Sequence, residues 1–388
     1  MLLEIFYWMC VVIALYPYLG YPVIAFLMGS MRPRSVQQGS NDPPPVSMVV
    51  AAHNEAQRIG RRVAELSRLV AATHPQSEVI IVSDGSTDET AQIVRASTAA
   101  NVRLIELTTN QGKAQALNCG VAAARHDFVA FADVRQTWNE DTLPRLLSRF
   151  TDPDVGAVSG DLRLRTVSGG LASVDFYWRL EKRLRISESR WHSSIGVTGA
   201  VCAVRRSLFV SLPPGTVLDD VYWPMAVILQ GRRVVHEPGA AAEDQLPDEI
   251  GGEYKRKLRT LAGNFQLMSL MSGLLLPWKN PVWFQFMSHK VLRLVTPWLL
   301  LAAWGLSFTL TGQPVYMVLF VLQSLLLAAG ILAWLWPPIR RVRPLGILAA
   351  VFALNCAAWL AFWVWLSGGT NRTWKKVEYG KAKVSGVR

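Results

Sequence analysis

Three acidic residues in the middle of the chain stand at the ends of short apolar runs. They are Glu55, Asp84 and Asp133, and Lys113 comes between the second and the third of them. A carboxylate at such a place can take a proton from a reacting hydroxyl or bind a cation. The ammonium group of Lys113 suits a phosphate or the edge of a uracil ring. These residue types in this order predict a ligand site rather than a set of ordinary turns.

The apolar runs have the length of buried β-strands and alternate with helical patterns. Such alternation predicts a parallel sheet that is covered on both faces. Ligands of these sheets bind beyond the carboxyl ends of the strands, so the three acids should converge there. Ser86 with Glu89 predicts a capping box that begins the helix after the second strand. The predicted strands are 46–51, 78–83, 102–107 and 127–132, and the predicted helices include 58–71 and 113–125.

Several classes of protein are disfavoured because their patterns are missing. The chain has neither G-x-x-x-x-G-K-[ST] nor G-x-G-x-x-G, which argues against an ATPase and a dinucleotide-binding enzyme. The formal charge is +12, but no zinc-finger spacing or RNA-binding signature accompanies it, so we expect no nucleic-acid partner. Much of the positive charge lies beside apolar runs, where it suits the anionic head groups of membrane lipids. The four cysteines lack paired spacing, which argues against a disulfide or a zinc site.

Long apolar runs near both ends of the chain predict membrane spans. Hydrophobic residues make up 51% of the sequence, and many of them are concentrated in four runs. A helix needs about 20 apolar residues to cross about 30 Å of hydrocarbon, and each run is close to that length or longer. We therefore expect a multi-pass membrane protein with four spans. The runs are 2–28, 294–311, 315–336 and 345–367.

The order of these runs predicts six segments. Arg32 after the first run and Arg340 before the last place the middle of the chain in the cytosol by the positive-inside rule. The basic tail disagrees, because four spans would put it outside; the alternative is that the run 294–311 does not fully cross. The segments are an anchor (1–30), a linker (31–45), a cytosolic domain (46–260), interfacial helices (261–293), three transmembrane helices (294–367) and a basic tail (368–388).

Six short motifs together resemble glycosyltransferase family 2, which includes the membrane synthases of cellulose, chitin, hyaluronan and poly-N-acetylglucosamine. Each motif is weak by itself, but their order and spacing over residues 46–264 are specific. The resemblance implies an α/β fold, namely a Rossmann-like GT-A glycosyltransferase domain with a predominantly parallel sheet, joined to α-helical transmembrane segments. The motifs are 49–55, 83–88, 110–118, Asp133, Thr198-Gly199-Ala200 and Asp219-Asp220.

The resemblance places a nucleotide-sugar site at the ends of the first strands. It implies that Glu55 and Asp84 hold the ribose and base of a uridine nucleotide, and that Lys113 contacts the base or the phosphates. Ala51 and His53 belong to the same predicted site, and His53 stands where the family has a tyrosine. The implied donor is a UDP-sugar.

The resemblance also implies a divalent cation, Mg²⁺ or Mn²⁺. Asp133 corresponds to the first carboxylate of the family's D-x-D metal motif, but Arg135 replaces the second one, and a guanidinium cannot ligate a cation. One carboxylate, the diphosphate and waters can still bind Mg²⁺. Arg135 is instead a candidate partner for a phosphate or an acidic sugar.

The implied catalytic base is Asp220, which matches the second acid of the family's T-E-D motif. Asp219 fills the place of the first acid, and a leucine replaces the threonine. Thr198, Gly199 and Ala200 would line the acceptor side of the site. One base without a nucleophile implies single displacement with inversion at the transferred carbon.

The Q-x-x-R-W motif of processive synthases is absent. Residues 253–264 occupy its place, and Arg256 or Arg259 could supply the cation that faces the phosphates. The alternative is a plain basic face on an interfacial helix. The missing tryptophan weakens the prediction of a processive polymerase.

The implied activity is transfer from a UDP-sugar to a membrane-proximal glycan or lipid, in exopolysaccharide or cell-envelope glycan synthesis at the inner (plasma) membrane. An alternative within this class is a single transfer to a polyprenyl phosphate or to ceramide. A transporter is disfavoured because the spans hold few ionisable residues. A binding domain without catalytic activity stays open, because the D-x-D motif is incomplete.

Overall fold

The computed structural model describes residues 1–37, 42–165, 172–245 and 250–369. Side chains are described for these residues except 164–178 and 245–253. Part of the predicted linker and almost all of the predicted basic tail lie outside the described residues. The described part consists of one central sheet, helices on both of its faces, and a group of long apolar helices.

A mixed sheet of eight strands forms the centre of the domain. The strands are β1 (Val46–Ala52), β2 (Glu78–Asp84), β3 (Val102–Leu107), β4 (Phe128–Ala132), β5 (Thr137–Trp138), β6 (Val155–Arg165), β7 (Val201–Arg205) and β8 (Arg233–Gln245). Their order in the sheet is β3-β2-β1-β4-β7-β6-β8-β5. Four of these strands agree with the sequence prediction to within a residue at each end.

The first four strands form the parallel half of the sheet. β1 pairs in parallel with β2 and β4, and β2 pairs in parallel with β3. Every position of β1 and β2 is buried, which is why both strands have continuous rather than alternating apolar sequences. The carboxyl ends of parallel strands share one edge, so this half brings the predicted acidic residues together.

The second half of the sheet is mixed in direction. β7 pairs antiparallel with β4 and β6, β6 pairs in parallel with β8, and β5 pairs antiparallel with β8. The predominantly parallel character therefore belongs to the first half. The antiparallel β7 places the segment before it, which contains the predicted acceptor motif, at the same edge as the ends of the parallel strands.

Helices on the two faces of the sheet enclose two apolar cores. Neighbouring residues of β1 point to opposite cores: Val49 packs with Ala116 and Trp223, whereas Met48 packs with Leu66. The helices of this domain are α3 (Ala56–Thr73), α4 (Thr90–Arg95), α5 (Lys113–Ala123), α6 (Thr142–Ser148), α7 (Ala172–Trp191), α8 (Asp219–Leu229) and α9 (Ile250–Leu270).

The predicted capping box at Ser86 and Glu89 is wrong. The next helix, α4, begins only at Thr90, and Glu89 makes no capping hydrogen bond with its side chain. Asp88 Oδ1 accepts the backbone N–H of Thr90 at 3.0 Å instead. Ser86 is engaged elsewhere, because its Oγ accepts the backbone N–H of Asn54 at 3.2 Å in the turn after β1.

Within the described residues, three helices are long and apolar enough to cross a membrane, in agreement with the late apolar runs. They are Trp283–Thr309, Pro314–Leu335 and Arg343–Leu366. The first of them contains a π-helical turn, Met287–Val291, between α10 (Trp283–Phe286) and α11 (Leu292–Thr309). The other two are α12 and α13.

The predicted N-terminal anchor is a bent pair of helices rather than one straight span. α1 (Leu2–Leu15) and α2 (Gly20–Met31) meet at an angle of 52°. Pro17 lies between them, and a proline cannot donate the backbone hydrogen bond that would continue a helix. If the pair counts as one span, the chain has up to four, by length and composition.

Candidate active site

The turn after β1 is fixed to the end of β2. The Nδ1–H of His53 donates to the carbonyl oxygen of Asp84 at 2.7 Å. Asn54 has a positive φ of 52°, a conformation that asparagine adopts more readily than most residues. Glu55 directly precedes α3, and Ala51 is buried near the end of β1. These four predicted or neighbouring positions therefore lie at the carboxyl edge of the parallel strands.

Asp84 has a structural task at this edge. Its carboxylate accepts the backbone N–H of Gln111 at 2.7 Å and of Gly112 at 2.8 Å. Gly85 has a φ of +56°, and a Cβ there would lie 2.3 Å from the backbone nitrogen of Asn110, so only glycine allows this close approach. Asp84 thus fixes the loop that leads into α5, and its contact with a nucleotide stays a prediction.

Lys113, the first residue of α5, lies between two carboxylates. Its Nζ is 2.9 Å from Asp133 Oδ1 and 3.7 Å from Asp219 Oδ2. Burial acts to lower the pKa of Lys113, but the negative charges of Asp133 and Asp219 outweigh it and raise the pKa above its usual value. Lys113 therefore stays charged at neutral pH. It links two predicted site residues, Asp133 and Asp219, that are far apart in the sequence.

Arg135 points to the mixed half of the sheet. Its guanidinium donates to Asp244 Oδ2, and Asp244 is a buried residue of β8. Gln136 Nε2 donates to the same oxygen at 2.9 Å. The proposed contact of Arg135 with a phosphate or an acidic sugar would have to compete with Asp244, and it stays a prediction. Asp244 could not be identified from the sequence, because it lies in a strand that was not predicted.

The predicted acceptor motif packs against the start of α8. The backbone N–H of Val197 donates to the carbonyl oxygen of Asp220 at 2.8 Å. Gly196 has a φ of +90°, and a Cβ on it would come within 2.9 Å of that oxygen. A Cβ on Gly199 would lie 3.4 Å from Asp220 Cβ and 3.9 Å from Lys113 Nζ. The structure thus brings the predicted acceptor residues next to the predicted base.

The rest of this motif is anchored to the sheet. The backbone N–H of Thr198 donates to Ser159 Oγ at 2.9 Å, and the carbonyl oxygen of Ala200 accepts the indole N–H of Trp138 at 3.0 Å. Ser159 belongs to β6 and Trp138 to β5. The mixed half of the sheet therefore holds the acceptor motif in place.

Asp219 and Asp220 are the first two residues of α8. Burial, followed by the charge of Asp219, raises the pKa of Asp220 to about 6, against the opposing charges of Lys113, Lys290 and Arg185. A general base is most effective when its pKa lies near the working pH. The electrostatics of the site therefore suit Asp220 to the role that the sequence predicted for it.

Arg256 and Arg259 are exposed on α9. The same helix supports the catalytic region through Gln266, whose Oε1 accepts the backbone N–H of Val217 at 2.9 Å and whose Nε2 donates to the carbonyl oxygen of Gly215 at 3.0 Å. These contacts fix the loop that leads into α8. Gln266 was missed by the sequence analysis, and the phosphate-facing role of the two arginines stays a prediction.

A second charged cluster, on α7 and the π-helical turn, was also missed. His289 Nδ1 is 2.7 Å from Glu188 Oε1, and His289 Nε2 is 2.8 Å from Glu181 Oε1. Arg185 lies between the two acids on the same helix, one turn from each. The available signal was the spacing of 181, 185 and 188, because residues three and four apart share one face of a helix.

The residues around Asp133 can offer a divalent cation one carboxylate. Among the described residues, no group of three or more His, Cys, Asp or Glu is arranged to hold a metal ion. The Asp133 side chain is 34% exposed and therefore accessible to a ligand. Mg²⁺ or Mn²⁺ fits here if a diphosphate and waters supply the remaining ligands and Lys113 gives up part of its hold on Asp133.

The parallel sheet edge, the acidic cluster around Lys113 and the position of Asp220 beside the predicted acceptor motif agree with a GT-A fold. Residues 47–212 match the family model described as Glycosyl transferase family 2. This part of the chain is therefore similar to a family 2 glycosyltransferase domain, and helices apolar enough to cross a membrane follow it.

Similar curated proteins are polysaccharide synthases. A poly-beta-1,6-N-acetyl-D-glucosamine synthase of Staphylococcus aureus (strain COL) is 27% identical over 279 residues, which cover 64% of this chain and 65% of that protein. The synthase of the same name from Staphylococcus epidermidis is 25% identical over 230 residues, covering 58% and 55%. The chain thus spans less than two thirds of the length of these relatives.

A solved structure has a similar fold. Mannosyltransferase PcManGT from Pyrobaculum calidifontis, in complex with GDP-Man and Mn²⁺, superposes with a TM-score of 0.69 and 21% sequence identity. The match covers 93% of this chain and 99% of that one. At this identity the similarity supports the fold, including the helices beyond the domain.

Proposed function

We propose that the protein is an inverting glycosyltransferase that moves a sugar from a UDP-sugar to a membrane-proximal glycan or lipid. The observation that carries this proposal is the position of Asp220, next to the acceptor motif on one side and to Lys113 on the other. Its raised pKa of about 6 suits proton transfer from a hydroxyl. The similarity to poly-beta-1,6-N-acetyl-D-glucosamine synthases supports a glycan as the acceptor.

The proposed chemistry divides between these groups. Asp220 would take the proton of the acceptor hydroxyl while the bond from the sugar to the diphosphate breaks. Lys113 would stabilise the negative charge that develops on the departing diphosphate. Cys202 lies near the same carboxylates, but burial raises the pKa of its thiol well above the usual value, so it is unsuited to act as a nucleophile. A single base then implies inversion of an α-linked donor to a β-linked product.

The divalent cation that the family resemblance implies is part of the proposal. Mg²⁺ or Mn²⁺ would supply charge compensation for the diphosphate and would be held by Asp133. The solved structure of PcManGT is a complex with GDP-Man and Mn²⁺, which supports this choice.

Nucleotide binding tests the donor. Isothermal titration calorimetry on the purified full chain should show tighter binding of UDP than of ADP or GDP, because the implied pocket of Glu55, Asp84 and Lys113 is that of a uridine nucleotide. A clear preference for GDP would reject the proposed donor and would favour a donor like that of the mannosyltransferase.

We further propose that the chain lies in the inner (plasma) membrane with its catalytic domain in the cytosol, where nucleotide-sugars are made. A cysteine-free background with either Asp154→Cys or Gly312→Cys tests this topology. Asp154 is exposed in the domain, and a side chain at Gly312 would meet no atom within 4 Å. An impermeant thiol reagent on intact cells should label Gly312→Cys and spare Asp154→Cys; the reverse pattern would reject the topology.

A further inference from the structure

The face of α7 that carries Glu181, Arg185 and Glu188 packs against the helix that begins at Trp283. Both acids on this face are occupied by that helix. His289 bridges them, with its ring nitrogens 2.7 Å from Glu188 Oε1 and 2.8 Å from Glu181 Oε1, and Arg293 lies 3.1 Å from Glu181 Oε2. The charges of His289 and Arg293 outweigh the burial of Glu181 and hold its pKa well below the usual range.

α2 completes this bridge. Tyr21 Oη donates to the same Glu188 oxygen at 2.5 Å, and both side chains are fully buried. Arg293 also lies over the ring of Tyr18, with 5.6 Å from its guanidinium carbon to the ring centre. The contacts fix the π-helical turn to α7, and such turns often occur at functional sites. They therefore fix the position of the next residue in the turn, Lys290.

Arg185 and Lys290 are two cations of the same region that take no part in the bridge between α7 and the π-helical turn. In the described part of the chain, neither side chain makes a hydrogen bond or an ion pair within 4 Å, although both are half-buried. Each is close enough to Asp220 to act on its titration, and each acts on the other as a like charge. Glu181 and Asp220 act on these cations as opposite charges, but among the described residues neither acid forms an ion pair with them within 4 Å, so a bound anion would add a direct partner for both.

A third polar group, His236, lies close enough to Arg185 to feel its charge. Both ring nitrogens of His236 are buried and, among the described residues, have no hydrogen-bond partner. Burial, followed by the nearby charges of Arg185 and Lys182, lowers the pKa of His236 to about 3, so the ring is neutral at pH 7 and has one N–H to donate. Lys182 itself is paired with Asp161 at 2.7 Å.

We propose that Arg185 and Lys290 form a binding subsite for the phosphate head group of an acceptor lipid, on the membrane side of Asp220. The helix of Lys290 continues through α11 as a candidate membrane span, so a lipid head group can reach this depth from the bilayer. Lys113, at the donor end of the proposed site, is already paired with Asp133 at 2.9 Å, whereas Arg185 and Lys290 make no such pair among the described residues. The phosphate would hold the lipid while one of its sugar hydroxyls faces Asp220.

This inference rests on the proposed function and narrows the acceptor to an anionic lipid. Arg185 suits such a group because a guanidinium can bind two phosphate oxygens at once. A neutral glycan would give neither cation a direct ionic partner. The subsite therefore favours a phosphate-bearing lipid over ceramide and over a free polysaccharide end.

Binding of dodecyl phosphate, dodecanol and inorganic phosphate tests the subsite. The full chain is placed in nanodiscs of phosphatidylcholine, and binding is followed by tryptophan fluorescence. Dodecyl phosphate should bind at least about tenfold more tightly than either of the other probes, because it combines the charge-assisted hydrogen bonds with an anchor in the bilayer. Arg185→Gln with Lys290→Gln should weaken its binding by about tenfold or more, since both charged donors are lost.

Matched variants separate this role from a structural one. Arg185→Lys keeps a positive charge and should retain most of the binding, whereas Arg183→Gln removes an exposed arginine from the same helix and should change nothing. UDP affinity, measured in parallel, should be the same in all variants. Failure of UDP to bind at all would reject the proposed donor while leaving the lipid subsite intact.

Three outcomes would overturn the subsite. Equal binding of dodecanol and dodecyl phosphate would show that the head group is not recognised. Inorganic phosphate that binds as tightly as dodecyl phosphate would show that the site takes a free anion instead of a lipid. A double variant that loses UDP as strongly as dodecyl phosphate would assign both cations to the donor diphosphate.

Discussion

Two charged regions flank Asp220, and they are built in opposite ways. The donor-side region consists of Lys113 with Asp133 and Asp219, so its one cation is already surrounded by carboxylates. The membrane-side region consists of the α7 face and the π-helical turn, where the acids are taken up by His289 and Arg293 and two cations are left over. The first region is closed by its own ion pairs, and the second is open to an anion.

Because only the donor-side cation is held in an ion pair, the two regions should respond differently to an anionic ligand. On the donor side, a diphosphate can gain Lys113 only if the lysine loosens its hold on Asp133, and a divalent ion on Asp133 would favour that exchange. On the membrane side, Arg185 and Lys290 need not give up an ion pair first. We therefore expect donor binding to depend on a metal and acceptor binding to depend on charge alone.

The largest effect is expected at the residue between the two regions. Asp220→Asn keeps the size of the side chain but removes the base, which should lower transfer by about 10²–10⁴-fold while UDP affinity stays within a few-fold of normal. Because the pKa of Asp220 is raised in the folded protein, its charge costs stability above about pH 6, so the variant should melt no lower than the wild type. Initial rates, calorimetry and thermal melts measure the three quantities.

Asp219→Asn is the matched control for that change. Neighbouring residues at the start of a helix point about 100° apart, so the two acids cannot face the acceptor equally. Transfer by Asp220→Asn above about a tenth of the wild-type rate would contradict the assignment of the base. A larger loss in Asp219→Asn than in Asp220→Asn would move the base to Asp219.

Removal of divalent cations tests the donor side alone. In excess EDTA, transfer should fall by at least about tenfold, because a charged leaving group loses its compensation, and added Mg²⁺ or Mn²⁺ should restore it. Binding of dodecyl phosphate should be unaffected by the same treatment. Full activity in EDTA would mean that Lys113 compensates the diphosphate without a metal.

The pH dependence of transfer should follow Asp220. A base with a pKa of about 6 is ionised above that pH and protonated below it, so kcat/KM should fall about tenfold for each unit below pH 6. The charged groups that set this value are Asp219, which raises it, and Lys113, Lys290 and Arg185, which lower it. Lys290→Gln should therefore shift the fall of kcat/KM at low pH to a higher pH. An unchanged profile would show that Lys290 does not act on Asp220.

The smallest effect on transfer is expected from the bridge beneath the membrane-side region. His289→Ala leaves Glu181 and Glu188 without their shared partner, and loss of one member of a buried pair costs about 3–5 kcal/mol of stability. Thermal melts should show this loss, whereas His126→Ala, which removes one hydrogen bond to the carbonyl oxygen of Gln76, should cost only about 1 kcal/mol. Activity per folded molecule should stay within a few-fold; a large loss of UDP affinity would contradict the separation of the two regions.

The donor-side region could be predicted from the sequence because its residues come from the ends of consecutive parallel strands. The continuous apolar sequences of β1 and β2 identify the strands, and the geometry of parallel sheets then brings Asp84, Lys113 and Asp133 to one edge. The predicted capping box was wrong because a segment distant in the sequence binds the same hydroxyl. Ser86 Oγ accepts the backbone N–H of Asn54 and does not cap α4.

The sequence by itself determined the long apolar helices, the parallel half of the sheet and the order of the site motifs, because these depend on residue periodicity and on neighbours in the chain. Only the tertiary structure decided the bend between α1 and α2, the pairing of Arg135 with Asp244, and the bridge that His289 makes between Glu181 and Glu188. Those contacts join segments far apart in the sequence, and their geometry depends on how whole helices and strands pack. The sequence of α7 alone does not show which groups surround Arg185, because those groups belong to helices and strands that pack against α7 only in the folded protein.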